Sequence, residues 1–188
     1  MFRMKICGVW LGVSFSFPAV LALVLLTGSD ERRLLTALVC CVLHEFGHLF
    51  FMLVFRRRPE AVTLYGGGIR ITPPAGRLDS FGRDAAVLMA GCGVNFLLAA
   101  VGAAAGYDSC FVQTNLLLGV FNLLPFRYFD GGRMLELLTD GRYVRTVRCV
   151  FILVTAAVIV FMAVGGTVSI SLLLTFLLAA AAEVFDEA

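Results

Sequence analysis

Long apolar runs separated by short, mostly basic connections set the pattern of this chain. The runs extend over Ile6 to Leu26, Leu34 to Phe55, Ala85 to Ala105, Cys110 to Leu124, Val147 to Val164 and Thr167 to Ala182, with Glu45 and Arg148 the only charges inside them. At about 1.5 Å of rise per residue, the run from Leu34 to Phe55 makes a helix of roughly 33 Å, the thickness of a bilayer's hydrocarbon core. Six such runs predict an all-α polytopic membrane protein with six transmembrane helices. The first run is long for a signal peptide and ends in Thr27-Gly28-Ser29-Asp30 without a small-x-small cleavage pattern, so it is read as an uncleaved helix, kinked or broken near Pro18. Ser29 and Asp30 have the character of an N-cap for the second helix. Between the second and third helices, Val62-Thr63-Leu64-Tyr65 and Ile69-Arg70-Ile71-Thr72 alternate around three glycines, which predicts a small β-hairpin over about 61–72.

Composition agrees with this pattern and excludes a soluble domain. Hydrophobic residues make up 60% of the chain and charged residues 15%, and the mean hydropathy is +0.95. The sequence is therefore expected to form one membrane-embedded domain over 1–188. With six spans, Arg32 and Arg33 fall on one side, and the other basic residues, among them Arg3, Lys5, Arg56, Arg57, Arg58 and Arg142, on the opposite side. The excess of positive charge on cytoplasmic loops then places both termini in the cytoplasm of a multi-pass cell-membrane protein. The net charge of +2 reports topology, and no basic cluster calls for nucleic acid. The six cysteines lie in or at the ends of apolar runs and form no Cys-x-x-Cys pair, so they read as small buried hydrophobes, not a disulfide framework. Arg142, Arg145 and Arg148 read as headgroup anchors, Met134 to Leu138 as an interfacial helix with Glu136 solvated, and the phenylalanines as lipid-facing bulk.

Within the second run, the only two histidines of the chain stand in His44-Glu45-Phe46-Gly47-His48. Residues four apart share a helix face, so both imidazoles and the Glu45 carboxylate point into one sector, the arrangement that binds Zn2+ and keeps a general base beside it. A carboxylate at membrane depth is expensive and marks a functional site. A catalytic zinc takes three protein ligands and leaves one position open. With no histidine left, and the other carboxylates in loops or the tail, Asp130 is the candidate third ligand. Cys40 and Cys41, four and three residues before His44, are a lesser alternative for facing the metal. The fourth run is only about 22 Å long before Pro125 interrupts it, and irregular backbone at that depth must line a protected or watered cavity. Asp130 can therefore return toward the histidines on the cytoplasmic half of the membrane, with Asn122, Arg127 and Asp130 marking a polar entrance for water.

Taken together, His44-Glu45-x-x-His48, Asn122-x-x-Pro125 and Asp130-Gly131 resemble the site-2 protease family of intramembrane zinc metalloproteases, in particular the compact six-helix branch that includes the stage IV sporulation protease. Gly91-Cys92-Gly93-Val94-Asn95 is similar to the family's Gly-Pro-x-x-Asn segment, with Cys92 in place of proline. Phe126 to Phe129 is bulkier and more basic than the family's usual stretch. The resemblance implies that His44, His48 and Asp130 ligate zinc, that Glu45 is the catalytic base, and that Asn122 and Asn95 contact substrate or the oxyanion. For both asparagines, interhelical hydrogen bonding is the alternative, and Gly91 and Gly93 can serve close helix packing. It further implies a membrane-protein substrate with a transmembrane or membrane-associated segment, no PDZ or CBS domain, and a regulatory partner that the sequence does not identify. Two other classes stay open: a membrane metal-ion transporter or sensor, and an inactive scaffold that holds a membrane helix without cutting it.

Overall fold

The computed structural model describes residues 2–6, 8–15, 18, 30–65, 68–72, 80–127 and 129–164. Two compact units divide the chain, residues 1–122 and 123–188. The first contains strands β1 (Phe2–Ile6) and β2 (Val9–Val13), helix α1 (Glu31–Val54), strands β3 (Ala61–Tyr65) and β4 (Gly68–Thr72), and helices α2 (Phe81–Ala104) and α3 (Ser109–Asn122). The second contains α4 (Asp130–Thr139) and α5 (Val144–Val164).

The expected hairpin forms, with β3 and β4 antiparallel and Val62 opposite Ile71. It is not an isolated hairpin. A second antiparallel pair, β1 with β2, joins it through a parallel β2–β3 contact, giving a four-stranded sheet in the order β1-β2-β3-β4. A parallel pair needs a long crossover, and α1 lies in that connection. The expectation of an all-α fold is corrected accordingly: the architecture is mostly helical with a small mixed sheet.

The first expected membrane helix is corrected as well, because Phe2–Ile6 and Val9–Val13 are strands. Gly8, at φ +87, permits the tight turn between them. Register explains why these residues prefer the sheet. Phe2 and Met4 align with Val13 and Leu11, and these align in turn with Leu64 and Val62, so one sheet face is apolar throughout. Arg3, Lys5 and Trp10 take the other face, where the Lys5 ammonium lies 5.4 Å from the Trp10 ring centre. Hydropathy alone does not separate an apolar strand from the start of an apolar helix. The remainder of that run lies largely, and the run from Thr167 to Ala182 wholly, outside the described residues.

Among the described residues, two helices, α1 and α2, are long and apolar enough to cross a membrane. Their outward faces carry the large hydrophobic residues. On α1, Leu35, Val39, Val42, Phe46, Phe50 and Leu53 are exposed, whereas the buried stripe is Cys40, His44, Gly47, His48 and Met52. Polar groups inside and bulk hydrophobics outside are the reverse of a soluble helix. Small residues let the helices approach: a Cβ on Gly47 would stand 2.8 Å from the Ala90 carbonyl oxygen, and one on Gly119 would meet the Phe96 ring. Asp30 caps α1 as expected, its Oδ1 accepting from the Arg32 backbone N–H at 3.0 Å. An ion pair of 3.0 Å between Arg32 and Asp108 ties the start of α1 to the turn between α2 and α3.

Candidate metal centre

The imidazoles of His44 and His48 lie one above the other on the buried stripe of α1, and each is oriented by α2. His48 donates from Nδ1 to the backbone carbonyl of Val87 at 2.7 Å. A carbonyl can only accept, so the His48 proton sits on Nδ1 and its Nε2 carries a lone pair. His44 Nδ1 pairs with Oδ1 of Asn95 at 2.9 Å, which likewise turns its Nε2 inward. The two Nε2 atoms face each other across 3.2 Å. Two zinc-bound imidazole nitrogens, each about 2.0–2.1 Å from a tetrahedral ion, stand roughly 3.3 Å apart, so this pair has the spacing of two ligands on one ion.

Gly91 completes the cradle. A Cβ at this position would meet Nε2 of both histidines, at 2.6 Å in the case of His44. Only glycine leaves that volume open, and it lies where the two lone pairs converge. Gly93, the other glycine of the segment, has nothing within 4 Å of a built Cβ. Close approach is therefore a property of Gly91 alone. Glu45, next along the helix, is half-buried beside the buried His44.

Cys40, a turn before His44 on the same stripe, is fully buried, and its Sγ accepts from Nδ2 of Asn115 at 3.2 Å. Asn115 is itself fully buried and also donates to the Phe111 carbonyl. No motif singles out this pair; a polar residue in the middle of the short α3 is the signal that could have found it. Asn122 donates to the Leu118 carbonyl of its own helix at 3.0 Å.

In the second unit, Asp130 is buried and opens α4, where the helix dipole favours an acid. The two glycines that follow are inside the helix rather than in a turn. A Cβ on Gly131 would run into the Leu123 carbonyl, and one on Gly132 into that of Phe126. The segment 123–127 thus folds back over the first turn of α4, with Phe126 buried against the rings of Phe129 and Phe151.

Arg148 holds the same segment. It is buried, not a headgroup anchor, and donates from Nε to the Pro125 carbonyl at 3.1 Å while pairing with Glu136 at 2.8 Å. This also corrects the reading of Phe126 as lipid-facing, whereas Glu136 is exposed as expected and pairs with Arg148 from the surface. Proline at 125 leaves a carbonyl with no helical partner, and a buried guanidinium is well suited to satisfy it. Arg142 and Arg145 are exposed as expected, and so is Cys149, which the sequence reading had buried.

An apolar-faced helix pair, a small sheet and a buried histidine pair make up a fold that is also found among solved structures. One solved structure with a similar fold is the Site-2 Protease from Methanocaldococcus jannaschii, with a TM-score of 0.65 and 22% sequence identity over 95% of this chain and 91% of that one. No protein-family model matches the sequence, and no curated protein is significantly similar to it.

Proposed function

We propose that this chain is an intramembrane zinc metalloendopeptidase of the site-2 protease family, cutting a membrane-protein substrate within or beside the bilayer. The observation that carries the reading is the His44–His48 pair, its two Nε2 atoms converging over Gly91. The likeness in fold to the Methanocaldococcus jannaschii protease supports it. In this reading His44, His48 and Asp130, each buried and each able to offer one ligand atom, hold the ion. Zinc, when bound, acidifies water toward neutral pKa and polarises a carbonyl.

The chain's own residues do the rest. Glu45 takes the proton of the attacking water and returns it to the leaving amine, so hydrolysis needs no covalent intermediate. The apolar stripes of α1 and α2 exclude bulk water. Only an extended peptide exposes its carbonyl, so a helical substrate unwinds locally, and β4, an edge strand, can pair with the unwound segment. In this reading the ion lies toward the cytoplasmic half of the membrane with both termini in the cytoplasm, a placement supported by the excess of basic residues on one side of a six-span arrangement.

Membrane proteomes of cells carrying the wild type or Glu45→Gln test this. The variant is expected to retain zinc, lose cleavage by at least about 100-fold, and accumulate full-length substrate species. Equal processing by both proteins would overturn the reading. Metal flux by the wild type without any proteolysis would assign the chain to transport instead.

A further inference from the structure

Asn95 is completely buried on α2, one turn after Gly91, and its Oδ1 meets Nδ1 of His44 at 2.9 Å. Its Nδ2 has no hydrogen-bond partner among the described residues. A buried amide with one end unsatisfied costs free energy, so a purely structural interhelical bond would be served at least as well by a smaller hydroxyl or an apolar residue. The end that is used touches His44 on the ring nitrogen opposite the lone pair that faces His48. Ligation through Nε2 requires the proton on Nδ1, and a protonated Nδ1 requires an acceptor.

His48 obtains that acceptor from the backbone, at Val87. For His44 the acceptor is a side chain, the amide oxygen of Asn95. Without it, the 3.2 Å contact between the two Nε2 atoms offers His44 a competing state. Its proton moves to Nε2 and bonds the lone pair of His48, and both ligand atoms are lost at once. An acceptor at position 95 disfavours that tautomer.

We propose that Asn95 is a positioning residue for the metal site: it acts through His44, fixing the Nδ1–H tautomer so that Nε2 is free for zinc, and does not bind substrate or the oxyanion. The inference rests on the zinc reading of His44 and His48 given above. It also explains why an asparagine stands a single helical turn from the glycine that opens the cradle.

The test is zinc affinity of the full-length chain in detergent, measured by competition with a chromogenic chelator, for the parent, Asn95→Ala and Asn95→Asp. Removing the acceptor is expected to weaken zinc binding by about 10–100-fold, whereas Asn95→Asp, which can only accept, should stay within about threefold of the parent. A merely structural role predicts the opposite for aspartate, because an unpaired charge between two membrane helices is more disruptive than alanine. If Asn95→Ala does not fold, long-range proton–nitrogen NMR of the zinc-free parent reads the same point: His44 must show a protonated Nδ1 before metal binds. The proposal falls if Asn95→Ala binds zinc within about twofold of the parent, if Asn95→Asp is as weak as alanine, or if His44 carries its proton on Nε2. If the parent binds no zinc, the metalloprotease reading fails first and this one with it. If the parent binds and the Asn95 variants do not differ from it, only this one fails.

Discussion

His48 donates from Nδ1 to the carbonyl of Val87 across the packed α1–α2 pair at 2.7 Å, and this single bond fixes which of its nitrogens can meet a metal. The acceptor is a backbone group, so no side-chain substitution on α2 removes it. The partner histidine depends on Asn95 instead. The two imidazoles of α1 are thus held by different means, and substitutions on α2 should affect them unequally.

Gly91→Ala is expected to abolish metal binding. Its methyl group would sit against both Nε2 atoms, in the volume that their lone pairs share. Zinc content of the purified variant should fall by at least about tenfold, with the fold retained by circular dichroism. Gly93→Ala is the control: a built Cβ there meets nothing, and alanine gains roughly 0.5–1 kcal/mol of helix propensity.

Arg148→Met should loosen the segment before Asp130 without touching a ligand. It leaves the Pro125 carbonyl unpaired and deprives Glu136 of its partner, a loss of about 1–3 kcal/mol. Thermal unfolding and limited proteolysis read this, with new cleavage expected within 123–129. Glu136→Gln should cost less than about 1 kcal/mol, because that carboxylate is half exposed. Equal losses from the two changes would show that the bond to the Pro125 carbonyl adds nothing.

Gly131→Ala and Gly132→Ala are each expected to disable the protein, since the new Cβ atoms would strike backbone carbonyls that cannot turn away as a side chain can. Backbone must shift, and Asp130 begins the turn that shifts. Proteolytic activity is expected to fall by about 100-fold or more. Near-normal activity in both would mean that 123–129 relaxes without moving the acid.

These cases also show which features the sequence made legible. His44, Glu45 and His48 could be read because i, i+4 spacing on a helix fixes a shared face whatever surrounds it. The hairpin at 61–72 could be read because alternation and three glycines are both local. β1 and β2 could not, since the pairing of β2 with β3 joins residues some fifty positions apart, and an apolar five-residue strand looks like the start of an apolar helix. Gly91 and Gly93 are equivalent in sequence; only the rotation of α2 against α1 turns one toward the imidazoles and the other away. Arg148 looks like its exposed neighbours Arg142 and Arg145 until the carbonyl before it is seen to need a donor.

Chelator treatment followed by metal replacement separates a metalloenzyme from a scaffold. Cleavage of a reconstituted transmembrane substrate should disappear on incubation with a strong zinc chelator and return on adding one equivalent of Zn2+. Activity that survives complete zinc removal would exclude the proposed chemistry.

X-ray absorption at the zinc edge of the purified full-length chain tests the central claim most directly. The account predicts one zinc with two imidazole nitrogens at about 2.0–2.1 Å and a carboxylate oxygen at about 2.0–2.2 Å, the oxygen contribution altered in Asp130→Ala. A sulfur shell near about 2.3 Å, which would bring in Cys40 or Cys41, or a spectrum unchanged by loss of Asp130, would contradict it.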